Sequence, residues 1–217
     1  MAITHELKTP IAVSKLNLET LLRRKLTEEM QKSLLQASLQ ETSRLNMLCN
    51  NLLLSSQIDA GAYAVTKEVV SWSEITQDCV KENSNRFPQR KIEADITENV
   101  FIEADHLLLE MVVNNLIENA LKYAPKDKPI QVVLKLHEAN AILEVKDEGP
   151  GILEADKEKI FKKFTRLGNE ATIRAKGTGL GLFLIKRIIT KLKGDVTVTD
   201  NVPQGSIFSV QLKKAKQ

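Results

Sequence analysis

"NNLIENALKYAP", residues 114–125, reads as the end of a long helix that Asp105 caps and Pro125 stops. Asn115 and Asn119 stand four apart and share a face, and Lys122 follows three residues on. Asparagine is a poor helix former, because its amide competes for backbone hydrogen bonds, so several on one helix need a reason. Two amide oxygens and an ammonium on one face suit a hydrated Mg²⁺ with phosphates. Taken alone, the same face is equally a polar solvent face.

Two glycine turns follow. "EVKDEGPGI" (144–152) ends a strand at Asp147 and then turns through Gly149 and Gly151. A carboxylate at a strand end can accept from an amino group such as that of adenine, and glycines let a flat base lie against backbone. The bland alternative is a simple turn. "KGTGLGLFLIKRI" (176–188) sets Gly177, Gly179 and Gly181 at the mouth of an amphipathic helix. Backbone N–H groups there can approach phosphate closely. It is not a Walker loop, since no Gly-Lys-Ser/Thr follows. Nor is it the dinucleotide fingerprint, since Leu182 occupies the third glycine's place. By itself it could be a flexible loop before a helix.

Outward from these motifs, strands and helices are mixed rather than strictly alternating. "VVSW" (69–72) reads as a strand, and Ser73 as the cap of a helix to about Arg86. "KIEADI", "VFIEA", "IQVVLKLHE" and "AILEVKD" read as strands, with a helix from near Thr178 to about Lys193. "DVTVTD" and "SIFSVQL" close the chain as a hairpin-like pair. This pattern predicts an α+β sandwich, a mostly antiparallel sheet under a helical layer.

Residues 5–58 differ. They contain no glycine, and Pro10 is their only proline. Leu7, Ile11, Leu18, Leu21 and Leu22, then Met30, Leu34, Ala37, Leu45, Leu48 and Leu52, recur at helical spacing. A short break at 23–27, with Thr27 as N-cap, predicts an antiparallel helical hairpin. A lone hairpin buries little surface, so pairing with a second copy into a four-helix bundle is expected. Pro10 has two readings. It is the first residue of a helix capped by Thr9, or a bend within a continuous helix.

Bulk composition excludes some classes. A net charge of +3, with 4% aromatics and no basic stripe, argues against nucleic acid. Cys49 and Cys79 are too few for a disulfide framework or zinc site. No apolar run approaches the roughly 18 residues of a membrane span. His106, His137 and Trp72 read as solvated or packing residues.

The Asn helix, Asp-Gly turn and Gly-rich turn occur in one order, behind "THELKTPIA" (4–12). Together the chain resembles the cytoplasmic catalytic core of a bacterial sensor histidine kinase over essentially its whole length. "THELKTPIA" is similar to that family's H box, "NLIENALKY" to the N box and "DEGPGI" to the G1 box. "FKKFTR" is similar to the F box and "GTGLGL" to the G2 box.

The resemblance implies residues 1–60 as a dimerisation and phosphoacceptor hairpin, 61–69 as linker, and 70–217 as a Bergerat-type ATP-binding domain. It implies ATP and Mg²⁺ as ligands. Asp147 would bind the adenine amino group. Asn119 would be the main Mg²⁺ ligand, with Asn115 nearby, and Lys122 and Tyr123 would border the phosphates. Gly149 and Gly151 would line the base. Gly177, Thr178, Gly179, Leu180 and Gly181 would cradle the phosphates. Residues 153–176 would form a lid anchored by Phe161, Phe164 and Arg166. The late glycine motif is thinner here, with Gly205 kept but Pro203 where a glycine is common.

His5 would attack the γ-phosphate, and Glu6 would accept from its other ring nitrogen and fix the tautomer. Thr9, one turn on, would orient a water for dephosphorylating a response regulator. A homodimer and a cognate response regulator are the implied partners. Only four residues precede His5, so the sequence is expected to lack the sensor, the membrane spans and half of the first helix. It would then be the cytoplasmic portion of an inner-membrane protein, a weakened dimer with poor autophosphorylation. The competing readings are another Bergerat-fold ATPase and a scaffold that binds ATP without transferring it.

Overall fold

The computed structural model describes residues 2–63, 66–167 and 178–215, without the side chains of Ala2, Ile3, His5 and Asp59. Its backbone divides into two compact units, Met1–Tyr63 with Lys176–Leu180, and Ala64–Ala175 with Gly181–Gln217.

The first unit is a hairpin of α1 (Ala2–Arg23) and α2 (Glu28–Asp59). Thr27 caps α2, its hydroxyl accepting the Met30 N–H at 3.3 Å. The pairing is antiparallel. Ser14 Oγ donates to the Ser38 carbonyl at 3.4 Å, and Arg44 Nη2 lies 2.9 Å from Glu6 Oε2. Helix α1 is continuous through Pro10, so the reading in which Thr9 caps a helix starting there is wrong. A proline ring forfeits one i→i−4 bond, and the buried position of Pro10 offsets part of that loss.

In the second unit, β1 (Glu68–Ser71) pairs antiparallel with β3 (Phe101–Ala104). The main sheet has five strands in the order β2 (Ile92–Ile96), β4 (Ile130–His137), β5 (Asn140–Asp147), β7 (Ser206–Lys213), β6 (Asp195–Asp200). Only β2 and β4 are parallel; the other pairs are antiparallel. The helices are α3 (Trp72–Arg86), α4 (His106–Tyr123) and α5 (Gly181–Lys191). The α+β expectation is met: a helical hairpin followed by a sheet domain. Among the described residues, no helix is long and apolar enough to cross a membrane.

Two boundaries differ from the sequence reading. Ser71, not Ser73, caps α3, accepting the Glu74 N–H at 3.2 Å. Ser73 is instead buried, donating to the Thr97 carbonyl at 2.7 Å and accepting the Val100 N–H at 2.9 Å. Its hydroxyl ties the start of α3 to the chain between β2 and β3. Helix α5 begins at Gly181 rather than near Thr178, because Gly179 has φ +69° and cannot be helical. Thr178 Oγ1 accepts the Leu180 N–H at 3.3 Å, a local turn before the helix.

The core lies between the helices and one face of the sheet. Leu109, Val112, Val113, Leu116 and Ile117 of α4 recur in steps of one, three and four, and all are fully buried. They pack against β4 and β5, whose inward positions include Val132, Leu143 and Val145. Trp72 is also fully enclosed at the start of α3.

Candidate functional site

Strand β5 decides where Asp147 goes. Ala141, Leu143, Val145 and Asp147 alternate on its buried face, so period-2 geometry turns this carboxylate inward like the apolar residues before it. Asp147 is 4% exposed. The strand ends there, and the Gly149 N–H turns back to donate to Asp147 Oδ1 at 2.7 Å. Burial pushes the Asp147 carboxyl above its ordinary value, against the backbone N–H groups of Gly149 and Ser206, which favour the ionised form. A buried carboxylate with acceptor capacity left over suits an amino donor.

The carboxylate opens on a cavity lined by Asn119 and Tyr123 of α4, Pro150, Gly151 and Ile152 of the turn, and Leu182 of α5. Ser206 and Phe208 close its floor, and Ile160, Thr165, Arg166 and Leu167 its outer wall. The apolar lining and single buried carboxylate fit a flat heterocycle with an exocyclic amine. Gly149 must be glycine: a Cβ would stand 2.7 Å from Asp147 Oδ1 and 3.1 Å from the Tyr123 carbonyl oxygen. Gly151 has φ +75°, which the turn requires.

Asn115 sits one turn before Asn119. Its Nδ2 donates to the Met111 carbonyl at 2.9 Å, which fixes the amide and leaves Oδ1 toward α5. A Cβ on Gly181 would come within 2.8 Å of that oxygen. Thus Asn115, Asn119 and the start of α5 lie close together. Lys122 is exposed, its Nζ 4.6 Å from the centre of the Tyr123 ring, and it does not line the cavity. Among the described residues no group of three His, Cys, Asp or Glu could hold a metal ion.

Thr178, Gly179 and Leu180 fall with the first unit, and Gly177 lies outside the described residues, as do lid residues 168–176. The described part of the segment expected to form the lid holds two single 3₁₀ turns, Glu154–Asp156 and Lys159–Phe161. Cation–ring contacts join this segment to α5. Lys186 Nζ is 5.9 Å from the Phe161 ring, and Lys163 Nζ sits between Phe164 and Phe183 at 5.4 and 5.6 Å. Phe164 takes φ +63°, a strained value for a residue with a side chain.

In the first unit, Glu6 is buried and held by Arg44, while Thr9 is half-buried on α1. The His5 side chain lies outside the described residues. Sequence reading missed Arg44, Leu182, Ser206 and Phe208. Ser206 and Phe208 alternate correctly on a predicted strand, yet only the pairing of β7 with β5 sets them against Asp147.

Residues 1–61 match the family model for the His Kinase A (phospho-acceptor) domain. Residues 104–216 match that for the histidine kinase-, DNA gyrase B- and HSP90-like ATPases. Sensor protein CiaH of Streptococcus pneumoniae serotype 4 is 36% identical over 96% of this chain and 47% of its own length. Sensor histidine kinase WalK of Bacillus subtilis is 30% identical over 97% of the chain and 35% of its own length. The chain thus spans under half of either relative. The solved histidine kinase AdeS of Acinetobacter baumannii superposes with a TM-score of 0.69, at 28% identity over 98% of both chains.

Proposed function

Because the chain belongs to the sensor histidine kinases of bacterial two-component systems, we propose that it phosphorylates His5 from ATP and passes the phosphoryl group to an aspartate of a response regulator. The observation that carries this is Asp147, a buried carboxylate at a cavity whose rim holds Asn119 and a glycine turn.

In this reading residues 1–60 are the phosphoacceptor hairpin, 61–69 the linker and 70–217 the catalytic domain. Asp147 accepts from the adenine amino group while Gly149 and Gly151 let the base lie close. Asn119 and Asn115 would hold Mg²⁺, which would supply positive charge against the phosphates. Tyr123, Arg166 and the turn from Gly177 to Gly181 border the phosphates. The unprotonated His5 nitrogen forms the N–P bond as the bond to ADP breaks. Glu6, oriented by Arg44, steadies the imidazole as it becomes positive.

The hairpin leaves Ile11, Leu16, Leu22, Leu35 and Leu39 at least 48% exposed, which favours a second copy as cover. Light scattering at micromolar concentration tests this, and a monomer counts against it. The relatives are named sensor proteins, and the reading places this chain as the cytoplasmic part of such a sensor. Thr9, one turn after His5, supports a second activity, dephosphorylation of the regulator. Unchanged regulator dephosphorylation in Thr9→Ala would remove it.

The main test is incubation with Mg²⁺ and γ-labelled ATP beside His5→Ala. Acid-labile, alkali-stable label that vanishes with His5→Ala is expected. Bound ATP with no label would turn the reading toward a nucleotide-binding scaffold.

A further inference from the structure

Asp147 is gripped from behind as well as from the cavity side. The ladder between β5 and β7 ends at the pair Asp147–Ser206, so beyond it no further strand pairing holds the Asp147–Glu148 peptide. There the side chain of Asn201, 54 residues away in the β6–β7 turn, takes over. Its Nδ2 donates to the Asp147 carbonyl oxygen at 2.9 Å. Its Oδ1 accepts the Val202 N–H at 3.0 Å, which fixes which end of the amide faces Asp147. Its own backbone N–H donates to the Gly205 carbonyl at 3.1 Å, closing the turn. Gly205 has φ +122° and packs so closely that a Cβ would run into the Asp147 carbonyl oxygen. The next residue, Ser206, stands opposite Asp147 in the ladder, and its N–H favours the ionised carboxylate.

One short turn therefore holds Asp147 at its main chain and at its side chain together. A carboxylate reads an amino group only if its oxygens sit within a few tenths of an ångström of the right place. The Asp147 side chain has only two rotatable bonds and the Gly149 N–H holds one of its oxygens at 2.7 Å, so a shift of its own peptide carries those oxygens with it.

We propose that Asn201 is a positioning residue for base selection: by holding the Asp147 carbonyl it aims the Asp147 carboxylate at the amino edge of the nucleobase. This rests on the reading of the cavity as an adenine site. Asn201 touches no part of the base. Its loss is felt only by nucleotides that present an amino group to Asp147.

The test compares the dissociation constants of Mg·ATP and Mg·purine riboside triphosphate, which lacks the 6-amino group, on the 217-residue chain by calorimetry. The wild type is expected to prefer ATP. Asn201→Ala is expected to weaken ATP about ten-fold, the worth of one well-placed hydrogen bond to a charged group. The amino-free nucleotide should change less than about two-fold. Asn201→Asp keeps the acceptor for Val202 but brings no donor to Asp147, so it should behave like Asn201→Ala. It decides the matter if the alanine variant does not fold. Equal weakening of both nucleotides marks a merely structural role and overturns the proposal, as does unchanged preference in the variants. A wild type that binds ATP without preferring it overturns the proposal alone. A wild type that binds neither nucleotide overturns the adenine reading and the proposal with it.

Discussion

Glu6 Oε2 and Arg44 Nη2 meet at 2.9 Å across the helical hairpin, one residue along from His5. The two side chains are 10% and 20% exposed, so the pair is largely out of water. Removing one member of such a pair strands the other's charge. Arg44→Ala should therefore cost the hairpin about 3 kcal/mol, read by urea unfolding followed by circular dichroism. A change within error would show that Glu6 finds water or another partner.

Gly181→Ala tests the convergence of α4 and α5. The added methyl meets Asn115 Oδ1, the far end of a side chain that can move aside, so the fold should survive. The displaced amide should weaken Mg·ATP binding about ten-fold. Combining it with Asn115→Ala should add no further loss, and full additivity would contradict the contact.

Gly205→Ala meets backbone rather than side chain, at a φ that residues with a Cβ avoid. Nothing there can rotate away. A loss of about 3 kcal/mol or more is expected in the sheet unit, measured by denaturant unfolding. A wild-type midpoint would show that the turn repacks freely.

Asp147 links function to pH. Its folded carboxyl titrates above the ordinary value because of burial. The folded chain thus holds this proton more tightly than the unfolded chain does. The cost to folding is absent below the ordinary aspartate value and grows as pH rises through it. It is complete above the raised folded value. Asp147→Asn should therefore raise Tm near neutral pH, lose that advantage toward about pH 3, and bind ATP poorly. The same Tm gain at both pH values would count against the sign.

The thiols should separate cleanly. Cys49 is exposed, whereas burial, with Glu110, Glu82 and Asp78 adding to it, pushes the Cys79 thiol up to about 12. A thiol reagent at mildly alkaline pH should titrate Cys49 at once and Cys79 only after denaturation. Two fast thiols in the folded chain would contradict this burial.

Where one stretch of chain suffices, the sequence was readable. Period-2 alternation ends β5 at Asp147, and helical spacing sets Asn115 and Asn119 on one face. Even the capping of α3 was legible, because Ser71 and Glu74 make a Ser-x-x-Glu capping box that the reading of Ser73 passed over. Features joining distant segments were harder. Glu6 and Arg44 stand equally far from residue 25, so their meeting follows from the hairpin only once its centre is fixed. Asn201 carries no local mark at all. Its role depends on β7 pairing with β5 in a register that brings Ser206 opposite Asp147. Lys122 shows the reverse case: helical spacing puts it near Asn119, yet its long stem carries the ammonium over the Tyr123 ring.

Trp72 is the chain's sole tryptophan, sealed at the start of α3. Indole emission consequently reports on the sheet unit, while α1 and α2 contribute only to the far-ultraviolet dichroism. Fluorescence thus reads the sheet unit alone, whereas the dichroism sums the helices of both units. Nucleotide should shift the melting curve seen by fluorescence, and the part of the dichroism that melts apart from it belongs to the hairpin.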